Sequence, residues 1–100
     1  MKLIIAIIKT TSAEKVIKDL EHIGIKNISL SEVKGIGEQV EAFKQYAVHK
    51  RLEIIVPQEK AAEVSDIILK NAHTGLAGDG IIAVCPVDHL IKIRTMEKIK

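Results

Sequence analysis

The chain has 100 residues, the size of one small domain with a single core. Fifteen Lys and Arg against thirteen Asp and Glu leave a formal net charge of +2, too little for the electrostatic footprint of a nucleic-acid binder. Apolar residues make up 47% of the sequence but aromatics only 2%, so the interior must be aliphatic and there is little on which single-stranded bases could stack.

The apolar run Leu3 to Ile8 is too short to cross a bilayer or to serve as a signal-peptide core, and it reads as a buried strand. No direct membrane insertion is expected. Thr11-Ser12-Ala13-Glu14 has the form of a capping box and predicts a helix start. Val16, Ile17, Leu20 and Ile23 then recur at helical spacing until Gly24 supplies a stop. From Asn27 to Lys34, Ile28 and Leu30 alternate with Ser29 and Ser31, a half-buried strand ended by Gly35-Ile36-Gly37. Residues 38–50 carry only a loose apolar pattern and are expected to form a mobile excursion or a short helix. Leu52 to Val56 reads as a strand stopped by Pro57, and a second helix follows through Ala61, Val64, Ile67, Ile68 and Asn71. After a glycine-rich stretch comes the strand Ile81 to Cys85, and Leu90 to Arg94 predicts an extra C-terminal strand.

Strand, helix, strand thus occurs twice. This predicts one α+β domain over residues 1–100, a ferredoxin-like β-α-β-β-α-β sandwich with both helices on one sheet face. Leu3 to Ile8 and Ile81 to Cys85 are apolar on both faces, so the uncovered face should meet another subunit. The single cysteine, Cys85, excludes an internal disulfide and reads as a buried structural thiol in a cytoplasmic protein.

Thr74-Gly75-Leu76-Ala77-Gly78-Asp79-Gly80 joins a helix end to a strand start, and its three glycines let the backbone approach a ligand. Taken alone, a helix cap followed by an Asp-Gly turn explains it as well. It lacks the Gly-Lys-Ser or Gly-Lys-Thr ending of a Walker loop. Lys92 and Arg94 lie two apart on the predicted last strand, so their cationic heads leave one face, as a phosphate-binding pair or as a solvated edge. His22, His49, His73 and His89 are scattered without metal-ligand spacing, and no Ser-His-Asp set is visible.

Glu32-Val33-Lys34-Gly35-Ile36-Gly37, the stretch Thr74 to Gly80 and Ile91-Lys92-Ile93-Arg94-Thr95 occur in that order, with Ile5 to Lys9 and Glu53 to Pro57 alongside. Together they resemble the PII signal-transduction family over nearly the whole chain except residues 38–50. The resemblance implies a homotrimer that binds adenine nucleotide between neighbouring subunits and signals its state to a target, often a membrane transporter or metabolic enzyme, through a mobile loop. It implies Thr74, Gly78, Asp79 and Gly80 at the phosphates, with Lys92 and Arg94 from the adjoining subunit. It places Ser29, Gly35, Glu53 and Ile55 around the adenine with Ile7 nearby, beside the Gly35 to Gly37 motif, and Gln39 where the family holds Mg and 2-oxoglutarate beside ATP.

The sequence also departs from the family. The loop after Gln39 is several residues shorter and lacks the modifiable tyrosine region, so uridylylation is not expected. Glu38 stands where the family often has arginine, Ile81 replaces a lysine, His49 falls near a loop-base lysine that Lys50 would partly replace, and Lys92 replaces an arginine. With cations lost near the distal phosphates, a PII-like variant favouring ADP or AMP over ATP with 2-oxoglutarate is expected. Three other readings fit parts of the sequence: a sensor of cyclic di-AMP or another small anion, a weak ATPase or acylphosphatase-like enzyme, and a CutA-like trimer concerned with metal tolerance.

Overall fold

A computed structural model describes residues 1–35 and 47–99. In chain order the elements are β1 (Lys2–Lys9), α1 (Thr10–His22), β2 (Ile28–Gly35), β3 (Ala47–Val56), α2 (Gln58–Ala72), β4 (Gly80–Pro86), β5 (Leu90–Lys92) and β6 (Glu97–Ile99). The first four strands form one sheet in the order β2-β3-β1-β4, antiparallel at every pairing, as the ferredoxin-like arrangement requires.

Alternation decides which face is covered. Ile4, Ala6 and Ile8 of β1 and Leu52, Ile54 and Val56 of β3 are buried, and they pack in one cluster with Ala13, Val16 and Leu20 of α1 and Val64, Ile68 and Ala72 of α2. Both helices therefore lie on the same side of the sheet, and Asn71 Nδ2 of α2 donates to Asp19 Oδ2 of α1 at 3.0 Å between them. The opposite face carries Leu3, Ile5 and Ile7, which pair in register with Ile55, Glu53 and Arg51 on β3 and with Cys85, Ala83 and Ile81 on β4. Among the described residues nothing covers the centre of that face. Cys85 is accordingly only part-buried, against the expectation of a buried thiol.

Three sequence expectations change. The capping box at Thr11 and Glu14 does not form: the β1 ladder runs to Lys9 and the helix starts at Thr10. Thr10 Oγ1 donates to the Val48 carbonyl at 3.3 Å, which ties the first helical residue to β3. Residues 47–50, assigned to the excursion, are the first part of β3, held on both sides by Lys9↔His49 and Val33↔His49 pairing. The remainder of that excursion lies outside the described residues. The single extra strand expected at Leu90 to Arg94 is instead a hairpin, with β5 paired to β6 and Ile93 to Met96 in the turn. Arg94 thus leaves the strand that was to carry it beside Lys92.

Gly24 does end α1. Its φ is +89°, its N–H donates to Glu21 O at 3.0 Å, and the following Ile25 N–H donates to Leu20 O at 3.1 Å, the paired bonds of a Schellman stop. A Cβ on Gly24 would meet nothing within 4 Å, so its cost there is conformational alone. Gly24→Ala should lower the unfolding free energy by about 1–2 kcal/mol, read as a shifted urea midpoint, and Gly24→Asn by less.

Candidate functional site

The loop between α2 and β4 is built around one carboxylate. Asp79 Oδ2 accepts the Thr74 N–H at 2.8 Å and the Gly75 N–H at 2.9 Å, while Oδ1 accepts the Thr74 hydroxyl and lies 3.2 Å from Lys9 Nζ. Thr74 Oγ1 in turn accepts from the Leu76 N–H at 3.2 Å and from Lys9 Nζ at 3.4 Å. The Thr74 hydroxyl first, then the Thr74 and Gly75 amides and the Lys9 ammonium, hold the Asp79 carboxyl far below its ordinary value. Glycines at φ +84°, +94° and +107° (Gly75, Gly78 and Gly80) let so short a segment turn around that group.

Gly80 has an additional reason to be glycine. A Cβ there would lie 1.8 Å from the Ile7 carbonyl oxygen, where the β1–β4 ladder closes. Beneath the loop sits His49, only 4% exposed although it lies on the uncovered sheet face, because the loop folds over it. Its Nε2 is 2.8 Å from the Gly78 oxygen. A carbonyl can only accept, so Nε2 carries the proton.

A second feature lies at the other end of β1. A depression of about 870 Å³ between the uncovered face and the hairpin is lined by Leu3, Ser29, Glu53, Ile55, Leu90 and Lys92, among others. Apolar walls with a serine hydroxyl, a carboxylate and a cation suit a flat heteroaromatic ligand. Glu53 also receives Arg51 Nη2 at 3.2 Å. Arg94 sits in the exposed hairpin turn between Ile93 and Met96, which are 91% and 84% exposed.

The expected site residues therefore separate into two groups. Ser29, Glu53, Ile55 and Lys92 share the depression near Leu3, whereas Thr74, Gly78, Asp79 and Gly80 lie at the end of β1 marked by Ile8. By register Ile55 lies opposite Leu3 and Glu53, itself beside Ser29, lies opposite Ile5, so three to five residue steps of strand, about 10–16 Å, separate them from Ile8. Gly35, paired with Ala47, ends β2 on the glycine-loop side, and Ile7 lies between Arg51 and Ile81 on the uncovered face. Gly37, Glu38 and Gln39 fall outside the described residues. Lys50 is engaged elsewhere, with its Nζ 3.2 Å from Glu32 Oε1.

Two residues of this region were missed as site residues by sequence reasoning. Lys9 signals itself only as the polar end of an apolar run, and His49 only by its position near a family lysine. Among the described residues no three His, Cys, Asp or Glu side chains gather to hold a metal, and no helix is long and apolar enough to cross a membrane.

Comparison with known proteins gives a consistent result. A family model described as nitrogen regulatory protein P-II matches residues 1–97. Nitrogen regulatory protein GlnK of Escherichia coli strain K12 is 37% identical over 106 residues, covering 97% of this chain and 95% of that protein. Nitrogen regulatory protein P-II of Azospirillum brasilense is 36% identical over 107 residues, covering 98% and 96%.

A carboxyl held below its ordinary value stabilises the fold above that value and loses the contribution as pH falls through the lowered one. Wild type should therefore melt above Asp79→Asn at neutral pH, with the gap constant down to about pH 5 and closing as pH falls below the ordinary aspartate value of 3.8. Thermal midpoints of both proteins across that range check this.

Proposed function

The chain belongs to the nitrogen regulatory protein P-II family, and from that premise we propose that it is a non-enzymatic signalling protein that senses adenine nucleotide, ADP or AMP ahead of ATP, in clefts between copies of the chain. The observation that carries the reading is the separation of the two half-sites along β1. One copy presents a glycine loop suited to phosphate at one end and a mostly apolar depression toward the other, with the open sheet face between them.

A neighbouring copy packed on the uncovered face would bring its depression and hairpin to the first copy's loop. That face supports such packing, since Leu3, Ile5, Ile7, Ile81 and Ala83 form an apolar surface with no cover from the other described residues. A closed homotrimer is the assembly proposed. In it Ser29 and Glu53 hold the adenine edge, Leu3 and Ile55 pack its faces, and the loop amides receive phosphate oxygens. Lys92 and Arg94 supply charge from the hairpin.

The preference for short phosphate chains follows from cations that are absent or occupied. Ile81 is 52% exposed beside the loop where a lysine would add charge, and Lys50 is paired to Glu32 on the helix-side register of the sheet. Lys9 is bound to Asp79. Gln39 is the proposed contact for Mg and 2-oxoglutarate should ATP bind. Nucleotide occupancy shifts the protein between states that a partner distinguishes, by differential binding. The partner proposed is a membrane transporter or a metabolic enzyme, and the protein is placed in the cytoplasm.

Isothermal titration should give tighter binding for ADP and AMP than for ATP, with no gain for ATP on adding 2-oxoglutarate. Arg94→Ala should weaken ADP by about tenfold, the worth of one charge-assisted contact. ATP binding that tightens with 2-oxoglutarate would contradict the preference.

A further inference from the structure

Among the described residues His49 is the one buried polar or charged side chain, and one of its ring nitrogens, Nδ1, has no partner. A buried imidazole with a single bond has a burial cost that the bond only partly offsets. The bond goes to the carbonyl of Gly78, inside the loop read as the phosphate site.

The geometry of the peptide group gives that bond a consequence. The chain has no cis peptide among the described residues, and in a planar trans peptide the C=O of one residue and the N–H of the next point in opposite directions. With the Gly78 oxygen drawn down onto the ring, the Asp79 N–H must point up, away from the sheet. Asp79 lies outside every strand, and its N–H closes the turn over Ala77 and Gly78 toward the Leu76 carbonyl without reaching full hydrogen-bond geometry. The Asp79 carboxylate is meanwhile turned back onto Thr74, Gly75 and Lys9. One side chain fixes the peptide from below, and the other removes its own negative charge from the front of the amide.

We infer that His49 is a positioning residue, which holds the Gly78–Asp79 peptide so that the Asp79 amide stands ready to donate to a phosphate oxygen. The inference rests on the reading of the glycine loop as a phosphate site and adds the group that presets it. It also explains a buried histidine at the start of β3. Without the ring bond the peptide is free to flip, and the loop must be ordered each time an anion binds, which costs affinity. A purely space-filling ring would need no donor at Nε2.

Three proteins separate these roles: wild type, His49→Gln, whose amide keeps an N–H donor at similar reach, and His49→Leu, which fills space without one. Nitrogen-15 spectra of unliganded wild type should show the Nε2-protonated tautomer with a slowly exchanging ring proton. Titrations with ADP and with inorganic pyrophosphate should find both weakened about tenfold in His49→Leu, within about threefold of wild type in His49→Gln, and the Asp79 amide resonance shifted in His49→Leu alone. Wild-type affinity in His49→Leu, equal losses in the two variants, or a ring protonated at Nδ1 alone would each overturn the role of His49 while leaving the nucleotide site standing. A wild-type protein that binds neither ligand would overturn the phosphate site and this role with it.

Discussion

Strand β1 lies between β3 and β4 with apolar side chains on both faces, and two helices can cover only one of them. Ile4, Ala6 and Ile8 are sealed beneath α1 and α2, while Leu3, Ile5 and Ile7 look outward with Ile55, Ile81 and Ala83 as neighbours. The uncovered face pushes toward association, because burying such surface is the main favourable term in protein assembly. The same strand also fixes the spacing of the functional features. Its Ile8 end closes against Gly80 and carries the glycine loop, and its Leu3 end forms a wall of the depression. In the proposed site, association and ligand binding are thereby linked through one strand.

The glycine loop owes its shape to charge as much as to glycine. Asp79 gathers two backbone amides, a hydroxyl and an ammonium around one carboxylate, so the loop is folded before any ligand arrives. A carboxylate facing outward would repel phosphate. Tied inward and neutralised by Lys9, it braces the loop instead. His49 completes the arrangement from the other side through the Gly78 carbonyl. As the proposed anion site the loop is folded in advance but short of spare cations, since Lys9 is held within the network and Ile81 offers no charge.

Much of this was legible in the sequence where the signal is local. Apolar periodicity gave β1, α1, α2 and β4, and Gly24 marked a real helix stop. The misreadings arose where distant residues decide local structure. Val48-His49-Lys50-Arg51 shows no clear strand signal, because His49 is buried only by a loop 29 positions away and Lys50 reaches across to Glu32. The capping box failed because Thr10 binds Val48, 38 positions on, and begins the helix early. The hairpin was hidden because its turn, Ile93 to Met96, contains no glycine, proline or asparagine, and Met96 takes a φ of +56°. Within the site, the glycines and Asp79 stood out, but the contact of Lys9 with Thr74 spans 65 positions and leaves no trace in either segment. The division of the site into two ends was legible only once strand register was known.

The claim on which the account depends is that one nucleotide site is shared by two copies of the chain, and complementation between defective subunits tests it directly. Gly78→Val would spoil the glycine loop, where Gly78 has φ +94°, and the double variant Lys92→Ala with Arg94→Ala would spoil the hairpin. Each protein alone should bind ADP poorly. Mixed in equal amounts, unfolded and refolded together, they should regain high-affinity ADP binding at about a quarter of the sites, because each interface draws one half-site from each neighbour at random. No regain of binding in mixed assemblies would contradict a shared site and place both halves of it within one chain.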